Sequence, residues 1–448
     1  MTETSTPHTD IEPTRIGVVG AGYVGLTTGA CLAHLGHRVV CADVDAGRVE
    51  QLRKGEIPIV EAGLAELVVE GLASGRLCFE LGAEVAATDA DVVFLCVPTP
   101  QGADGGADLR FIETAATQIA PVLRPGALVV NKSTVPVGST KVVEDVLQRS
   151  DIAVVSNPEF LREGTAVHDF LQPDRIVVGA DSREAGERLA AVYAPLGARV
   201  LITDPASAET IKYAANGFLA MKISFVNAVA AMCEAVGANV DDVVDGIGSD
   251  ARIGRAFLKP GPGWGGSCFP KDSRALVKIA ADYGYDFTLM KGVIDVNEEQ
   301  KRRMVAKVRD AVGVGPGLRL TGTTVAVWGL TFKAGTDDLR DSPAITLVNS
   351  LVSSGATVRA YDPTVELVPP AHKAAVLAGV EIVATAIEAA KGADVVVIAT
   401  EWPEFAAPDL AQLAATMTAD PVIVDTRNIL APDVARAAGL RYGGVGRR

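Results

Sequence analysis

The sequence predicts an α/β protein with two Rossmann-like, doubly wound domains joined by a long central helix and a helical dimerisation domain. Three observations predict this fold. Short β-rich runs alternate with helical stretches in the first half, one long apolar helical stretch follows, and a second β/α alternation begins at Thr323. At 448 residues the chain is too long for a single hydrophobic core.

The first half contains seven Val- and Ile-rich runs separated by stretches of helical periodicity. The runs are nearly continuous in apolar character, which is typical of parallel strands buried on both faces. They lie at residues 15–20, 38–43, 91–97, 127–133, 152–157, 175–179 and 199–203. We therefore expect a doubly wound sheet in a domain over residues 15–205, after a flexible tail over residues 1–14.

The pattern changes after Pro205. Between residues 206 and 237 only Gly217 interrupts an apolar pattern of helical period, so one long helix is expected there. More helical sequence follows at residues 273–283 and 293–312, which completes a central helical dimerisation domain over residues 206–312.

A Gly/Pro segment at residues 313–317 marks the next boundary. A second alternation follows it, with strands expected at residues 324–329, 357–362, 394–400 and 421–425. It repeats the logic of the first domain but lacks a glycine fingerprint. We expect a second Rossmann-like domain over residues 318–448.

The composition disfavours several classes of protein. The formal net charge of −14 disfavours non-specific nucleic-acid binding, although clustered Lys and Arg can still bind an anionic small ligand. No stretch is apolar for long enough to span a bilayer, and the polar residues 1–12 lack the apolar core of a signal peptide. The six cysteines show no C-x-x-C pair, which favours a reducing cytoplasm, and no His/Cys/Asp spacing predicts a metal site.

The segment Gly20-Ala-Gly22-Tyr-Val-Gly25 follows a predicted strand and opens a helix. Its glycines permit a tight turn and let the backbone approach a pyrophosphate at the helix N-terminus. Asp43 ends the next strand, 21 residues after Gly22, where a carboxylate binds both ribose hydroxyls and repels a 2′-phosphate. The whole order of elements predicts NAD rather than NADP, with Arg48 covering the adenine side. The alternative is a glycine-rich turn that binds no cofactor.

The segment from Arg252 to Asp272 forms a glycine-rich loop whose backbone can press closely on a ligand. Cys268 stands at the exit of this loop, beside Lys271 and before helical sequence that follows Pro270. A thiol near a helix N-terminus and a cation has a lowered pKa, which suits a nucleophile. The alternative is a structural cysteine, but the loop and the Lys-Asp pair favour catalysis.

Two further pairs are candidate catalytic groups. Lys212 and Asn216 lie four apart on the long helix and share a face, which points either to solvent or into a buried stripe. Glu159 and Glu163 follow a strand end. They are either glutamates of a first helical turn or a general base with a neighbour that positions water or nicotinamide. Thr134 ends another strand at the same edge and offers a hydroxyl to the same point.

Together these residues resemble the nucleotide-sugar dehydrogenase family over nearly the whole chain. The matching motifs are GAGYVG at 20–25, STVPVG at 133–138, NPEFLREG at 157–164, KYAANGFLAMKISFVN at 212–227, GWGGSCFPKD at 263–272 and GLTFKAGTDDLRDSP at 329–343. The resemblance implies oxidation of a sugar CH₂OH to a carboxylate in two hydride transfers, which reduce two NAD. The last two motifs look most like the branch that converts UDP-glucose to UDP-glucuronate. GDP-mannose and UDP-N-acetylmannosamine stay open as substrates.

The resemblance also implies residue roles, in which Cys268 attacks the intermediate aldehyde and the thiohemiacetal becomes a thioester. The implied catalytic residues are Cys268, Lys212, Asn216 and Asp272 at the oxyanion and the water, Glu159 as base, and Thr134 beside the water. The NAD residues, from the fingerprint and the resemblance together, are Gly20, Gly22, Val24, Gly25, Asp43, Arg48, Thr99, Thr134, Glu163, Lys271 and Arg340. The implied UDP-sugar contacts are Phe160, Leu161, Arg162, Glu163, Lys212, Asn216, Phe257, Leu258, Lys259, Pro260, Gly261, Gly265, Lys333 and Arg427, with Arg252 reaching across a dimer interface. Trp264 stands where the family more often has Tyr or Phe.

Two other classes of protein stay open. A two-electron dehydrogenase of the 6-phosphogluconate or β-hydroxyacid type shares the Rossmann domain and the Lys-x-x-x-Asn pair, but it lacks the Cys268 loop and the third domain. A non-catalytic nucleotide-sugar binding module would keep the glycines with little need for Cys268. The expected partners are a UDP-sugar and a second copy of the chain through the long helix, and the product is expected to feed polysaccharide synthesis.

Overall fold

The computed structural model describes residues 12–102 and 106–447. Within them the chain forms two compact units, the first ending at Ala215 and the second beginning at Asn216. The predicted fold class is confirmed, because each unit contains a Rossmann-like sheet and a long helix runs through the boundary. Most of the predicted tail, residues 1–11, lies outside the described residues.

The described part of the first unit holds an eight-stranded sheet in the order β3-β2-β1-β4-β5-β6-β7-β8. Its strands are β1 (Arg15–Val19), β2 (Arg38–Asp43), β3 (Leu77–Leu81), β4 (Val92–Leu95), β5 (Leu128–Asn131), β6 (Ala153–Ser156), β7 (Ile176–Gly179) and β8 (Val200–Thr203). Strands β1 to β6 are parallel, so their carboxyl ends meet at one edge. That edge is where ligands bind in open α/β sheets.

Helices cover both faces of this sheet. They are α1 (Tyr23–His34), α2 (Ala46–Arg53), α3 (Leu64–Ala73), α4 (Ala83–Ala87), α5 (Arg110–Ile119), α6 (Ser139–Leu147), α7 (Ala166–Leu171) and α8 (Arg183–Val192). Neighbouring residues of a strand point to opposite faces. Val130 of β5 accordingly joins the core cluster of Leu26 in α1, whereas Val129 joins the cluster of Ile112 in α5. Burial on both faces explains the continuous apolar runs of the sequence.

The last two strands of this sheet differ from the expectation of parallel, fully buried strands. β7 meets β6 in one antiparallel pair, Ser156 with Gly179, and runs parallel to β8. The chain between β6 and β7 contains just the six-residue helix α7, about 9 Å long, which does not carry the chain back along the sheet. β8 forms the edge and leaves Leu201 and Ile202 partly exposed.

Helix α9 (Pro205–Val236) corresponds closely to the predicted long helix. The expectation that no stretch is apolar for long enough to span a bilayer was wrong. Among the described residues this helix passes that test by length and composition, with a mean hydropathy of 1.5 in its most apolar window. The scattered Lys and Asn residues hid the length of the apolar stretch. One third of that window is buried within the chain.

In its described part, the second unit continues with three helices and then with strands that alternate with further helices. The strands form a six-stranded parallel sheet in the order β11-β10-β9-β12-β13-β14. The helices are α10 (Val240–Gly248), α11 (Phe269–Asp282), α12 (Thr288–Ala311), α13 (Pro343–Ser353), α14 (Pro370–Val376), α15 (Ala386–Ala390), α16 (Leu410–Thr416) and α17 (Pro432–Ala437). The strands are β9 (Thr324–Trp328), β10 (Thr357–Tyr361), β11 (Val380–Ile382), β12 (Val395–Ile398), β13 (Val422–Asp425) and β14 (Arg441–Gly444). The strand order matches that of β1 to β6.

All eleven predicted strands are present, but three strands of the described ranges were missed, and each lies at a sheet edge. β3 alternates buried and exposed residues, β11 has three residues, and β14 contains two glycines. An edge strand is covered less than a central one, so its sequence lacks the continuous apolar run on which the prediction depended.

Candidate active-site residues

The glycine turn after β1 has a separate requirement at each glycine. Gly20 has φ +100°, and a Cβ there would lie 2.7 Å from the carbonyl oxygen of Cys96. A Cβ at Gly25 would lie 1.8 Å from the carbonyl oxygen of Gly20, so the helix packs directly on the turn. A Cβ at Gly22 would meet nothing within 4 Å. The fold therefore needs Gly20 and Gly25, while Gly22 leaves its backbone open to a ligand, as a dinucleotide site requires.

The structure brings Asp43 to the same turn. Its Oδ2 accepts a hydrogen bond of 2.8 Å from the Ala21 N–H, and its Oδ1 accepts one of 3.0 Å from the Asp45 N–H. The Arg48 guanidinium lies 3.2 Å from Oδ2 and is partly exposed. Val24 lies in the first turn of α1. These residues fit an NAD ribose and pyrophosphate in type and position.

Glu159 and Lys212 form a buried ion pair in the first unit. Lys212 Nζ donates to Glu159 Oε1 at 2.8 Å and to the Glu159 carbonyl at 2.7 Å, and both side chains are about 5% exposed or less. Glu159 lies in an irregular segment, so the alternative of a first helical turn was wrong. Burial alone would raise the pKa of Glu159, but the Lys212 ammonium and the N–H of Leu161 lower it below the usual value. The carboxylate is therefore ionised while paired.

Lys132 is a buried cation at the carboxyl edge of the first sheet, and the sequence analysis did not assign it a role. It follows β5, and its Nζ lies 2.9 Å from Asn157 Oδ1 and 3.4 Å from the Tyr193 hydroxyl. Burial lowers the pKa of Lys132 to about 8, although Cys96 and Glu159 favour its charged form. A lysine in the STVPVG neighbourhood looks like an ordinary surface residue, and no pattern in one sequence distinguishes it.

The other predicted residues of the first unit lie at or after strand ends. Thr134 follows β5 and is buried, and Thr99 follows β4 and is buried. Two cations lie near the ring of Phe160. The Arg175 guanidinium carbon is 3.6 Å from the ring centroid, and Lys212 Nζ is 5.5 Å from it. Leu161 and Glu163 are partly buried in the same segment, and Arg162 is turned away to Asp169 at 2.5 Å.

Cys268 is the N-cap residue of α11, as the position before a helix predicted. Its carbonyl accepts the N–H of Asp272 at 2.9 Å, and its Sγ lies 3.5 Å from Ser267 Oγ. Lys271 Nζ lies 2.6 Å from Asp272 Oδ1. The other oxygen of this buried carboxylate accepts from Asn216 Nδ2 at 2.7 Å. Hydrogen bonds thus connect Asn216, Asp272 and Lys271 in one chain.

The loop before Cys268 is tightly built. Phe257 has φ +63°, a left-handed conformation that is strained for a bulky residue and marks functional loops. Leu258, Pro260, Gly261 and Gly265 are buried, whereas Lys259 is exposed. A Cβ at Gly265 would lie 2.1 Å from the carbonyl oxygen of Asp341, so the loop passes directly against the segment before α13.

Four predicted binding residues of the second unit are cations, of which two are mostly exposed and two are at least partly buried. Arg252 and Arg340 are mostly exposed and pair with the nearby Asp250 and Asp338. Arg427 is largely buried, and it donates to the carbonyls of Ala399 and Phe332, each at 2.8 Å, while Glu401 lies 3.0 Å away. Lys333 follows Phe332 and is partly buried. Arg427 is therefore held in one orientation before any ligand binds.

Comparison with known proteins identifies the family of this chain. The UDP-glucose/GDP-mannose dehydrogenase family matches in three parts: its NAD binding domain over residues 14–197, its central domain over residues 206–299 and its UDP binding domain over residues 326–432. The chain belongs to this family. A UDP-glucose 6-dehydrogenase of Rhizobium meliloti (strain 1021) is 48% identical over 97% of this chain and 99% of its own.

Solved structures of the family agree. A UDP-glucose dehydrogenase of Pyrobaculum islandicum superposes with a TM-score of 0.88 at 37% identity, covering 100% of both chains. A UDP-D-ManNAc dehydrogenase of Pyrococcus horikoshii superposes with a TM-score of 0.83 at 28% identity, covering 97% of this chain and 99% of its own. The glycine turn with Asp43 lies in the NAD binding domain of the family, and Lys333 and Arg427 lie in or at the end of its UDP binding domain.

Proposed function

We propose that this chain is a UDP-glucose 6-dehydrogenase, which oxidises UDP-glucose to UDP-glucuronate in an NAD-dependent, four-electron reaction. The observation that carries the four-electron reaction is Cys268 at the N-cap of α11. Asp272 lies one turn further along this helix and accepts a hydrogen bond from Asn216 of α9. Similarity to curated UDP-glucose 6-dehydrogenases along the whole chain supports the substrate. The site-residue roles below are proposals of the same kind.

In the first oxidation the sugar alcohol loses its proton to a base and its C6 hydrogen as hydride. NAD, when bound on the Gly22 turn beside Asp43, supplies the hydride acceptor in this and the second oxidation. Glu159 is the proposed base, with Thr134 beside the water. While paired with Lys212 the carboxylate is a weak base. When Lys212 turns to a substrate oxyanion, Glu159 stays buried without its cation, and its pKa rises toward the range that base catalysis needs.

The second oxidation uses a covalent adduct on Cys268. The thiolate adds to the aldehyde carbon and the oxygen takes a proton, which gives a thiohemiacetal. Its hydroxyl then loses the proton to a base while its carbon yields the second hydride, which leaves a thioester. Water hydrolyses the resulting thioester to the carboxylate and the free thiol. Lys212, Asn216 and Asp272 are proposed to hold the oxyanion and the water. Removing one such donor typically raises the barrier by roughly 2.7–4 kcal/mol.

The test is the yield of NADH per nucleotide sugar, measured with UDP-glucose, UDP-N-acetylmannosamine and GDP-mannose. We expect two NADH per UDP-glucose and a much lower kcat/KM with the other sugars. Cys268→Ala should retain NAD and UDP-sugar binding and form no uronic acid, whereas the exposed Cys78→Ala should behave as wild type. A Cys268→Ala enzyme that still yields two NADH would exclude the covalent scheme.

The same assay separates the remaining classes. One NADH per substrate indicates a two-electron dehydrogenase of the 6-phosphogluconate type. Tight UDP-sugar binding without turnover indicates a binding module. If two NADH form with another nucleotide sugar and not with UDP-glucose, the four-electron reaction is supported and the proposed substrate is wrong.

We also infer a homodimer through α9. Phe218, Phe225 and Met232 recur every seven residues and are 59%, 56% and 56% exposed. Met221, Ala228 and Ala235 each follow one of them by three residues, so apolar residues recur at alternating spacings of three and four. That spacing is the seam of a packed helix pair. Sedimentation of Phe225→Asp should give a smaller species than wild type, and an unchanged mass would exclude this interface.

The three-part division into residues 15–205, 206–312 and 318–448, and the reach of Arg252 to the partner copy, stay proposals. The family matches support the division, and the exposed position of Arg252 supports its reach. A cytoplasmic location is proposed because all six cysteines lie among the described residues and none of them forms a disulfide there.

A further inference from the structure

We propose that Asn297 is a positioning residue for the Cys268 loop, and that it acts with Asn227 and Gln300 as a clamp of side-chain amides. The inference deepens the proposed function, because it concerns the loop that leads to the proposed nucleophile. All three amide side chains are almost fully buried, at 0–3% exposed. None of the roles assigned above uses them.

Asn297 pairs with both polar groups of one loop residue. Its Oδ1 accepts from the Trp264 N–H at 2.8 Å, and its Nδ2 donates to the Trp264 carbonyl at 3.0 Å. This is the pairing that a neighbouring β-strand would provide, made here by one side chain of α12. A Cβ at Gly263 would lie 2.8 Å from Asn297 Oδ1, so this close approach also explains the glycine before the tryptophan.

A second loop residue is held in the same manner by two side chains. The Gly261 N–H donates to Asn227 Oδ1 at 2.8 Å, and the Gly261 carbonyl accepts from Gln300 Nε2 at 2.7 Å. Asn227 lies on α9, while Gln300 lies on α12 one turn from Asn297. The four backbone polar groups of the two loop residues are therefore satisfied by side-chain amides of the helices rather than by regular secondary structure.

The tryptophan side chain adds another anchor. Its indole N–H donates to Ser224 Oγ at 2.9 Å, and Ser224 in turn donates to the Val293 carbonyl at 2.8 Å. Tyrosine or phenylalanine has no N–H at that place. The identity of Trp264 is thereby linked to Ser224 on α9.

The clamp matters because just four peptide bonds separate Trp264 from the proposed nucleophile, Cys268. The intervening Gly265 and Gly266 have no side chains to anchor them, and the Gly266 N–H donates to the Arg340 carbonyl at 3.0 Å. A loop without its amide partners would sample several backbone conformations. Small misplacements of a reacting atom reduce rates strongly, about 100-fold for roughly 1 Å.

The variant that tests the clamp is Asn297→Ala, with Asn297→Asp as a graded change that keeps the acceptor and removes the donor. We expect the NADH yield per UDP-glucose to fall from two toward one, because the step that needs Cys268 is slowed more than the first oxidation. We also expect kcat to fall at least tenfold and KM for UDP-glucose to rise, while the Kd of NAD is unchanged. Amide hydrogen exchange at Trp264 should be at least tenfold faster.

The chain offers a matched control in Asn428. Its side chain pairs with the N–H and carbonyl of Val445 at 2.9 and 2.8 Å, which is the same arrangement on the C-terminal segment. Asn428→Ala should lower Tm comparably and keep two NADH per sugar, with Trp264 exchange as in wild type. Wild-type yield and KM in Asn297→Ala overturn the proposal, and so does an equal loss of yield in Asn428→Ala.

The proposed function and the clamp fail in different ways. If wild type produces no NADH from UDP-glucose, the proposed function fails, and hydrogen exchange at Trp264 still decides whether Asn297 holds the loop. If wild type produces two NADH and exchange at Trp264 is the same in wild type and Asn297→Ala, the clamp alone is wrong.

Discussion

β1 to β6 and the second sheet have the same strand order, yet they differ at one equivalent corner, which is the turn after the first strand together with the aspartate after the second. In the first sheet Asp43, at the end of β2, accepts from the N–H of Ala21 in the turn after β1, at 2.8 Å. In the second sheet Asp362, which follows β10, accepts from the N–H of Leu330 in the turn after β9, at 2.7 Å. From there they diverge. Asp43 has one further backbone donor and a partly exposed arginine as partners.

Asp362 is saturated by its own chain. Its two oxygens also accept from the N–H and hydroxyl of Thr331, the N–H and hydroxyl of Thr364, and the indole N–H of Trp402, all at 2.9–3.2 Å. Both carboxylates are largely enclosed, with Asp362 2% exposed and the Asp43 side chain 9% exposed, but the smaller number of partners of Asp43 leaves acceptor capacity for a ligand. With the same topology, the carboxylate of the second sheet is fully engaged by its own chain, whereas that of the first sheet keeps acceptor capacity for the NAD ribose proposed there.

The glycines repeat the contrast. Gly329, like Gly20, has a positive φ, and a Cβ there would lie 2.4 Å from Thr400 Cβ. Two residues later the first sheet has Gly22 and the second has Thr331. A threonine whose hydroxyl binds Asp362 occupies the place where an open backbone would receive a pyrophosphate.

The largest effect that distinguishes the two corners is expected on stability. Asp362→Ala leaves several buried donors without an acceptor, each of which costs about 1–3 kcal/mol, so we expect a loss of about 3–5 kcal/mol of unfolding free energy. Asp43→Ala should cost about 1 kcal/mol and instead weaken the preference for NAD over NADP. Urea unfolding and the ratio of kcat/KM for the two cofactors measure both effects. Equal destabilisation by the two variants would contradict the contrast.

The sequence predicted the glycine turn with Asp43 as a candidate cofactor site, but it did not predict that the equivalent carboxylate, Asp362, is saturated. The fingerprint and Asp43 follow a local pattern, so the open corner was identified before the structure. Asp362 also follows a strand, but its saturation depends on Trp402, forty residues away, and on the path of the loop after Gly329. Lys212 with Glu159 was predicted only as two separate pairs, because the contact joins residues 53 positions apart. Such long-range contacts leave no periodicity in one sequence.

An effect of intermediate size is expected on the pH dependence of stability, and it concerns the residues that follow β5 and β13, which hold equivalent places in the two sheets. Lys132 follows β5, whereas the neutral Thr426 follows β13 and donates to the Ile398 carbonyl at 2.7 Å. Burial lowers the pKa of Lys132 from its usual 10.5 to about 8. Between these values the unfolded chain binds a proton that the folded chain does not, so this lysine makes stability fall as pH falls from about 10.4 to about 8. Below that range its cost is constant.

Lys132→Met removes this titration. We expect wild type to gain about 2 kcal/mol of unfolding free energy relative to Lys132→Met between about pH 7.5 and about pH 10. Urea unfolding of the two proteins at both pH values measures the difference. A difference that does not change with pH would mean that Lys132 has the same proton affinity folded and unfolded. Thr426→Val provides the comparison at the second sheet, where no pH-dependent difference is expected.

The smallest effect is at Gly22, and it falls on binding alone. Its φ of −75° and ψ of −168° suit any residue, and an added Cβ meets nothing within 4 Å. Gly22→Ala should therefore unfold within about 0.5 kcal/mol of wild type, yet bind NAD at least tenfold more weakly, about 1.4 kcal/mol, because the methyl group occupies the approach of the pyrophosphate. Gly25→Ala should lose both stability and NAD affinity, since its Cβ would lie 1.8 Å from the Gly20 carbonyl oxygen and must disturb the turn itself. Calorimetric NAD titration beside urea unfolding separates the two. Unchanged NAD affinity in Gly22→Ala would mean that the open backbone of this turn is not where the cofactor lies.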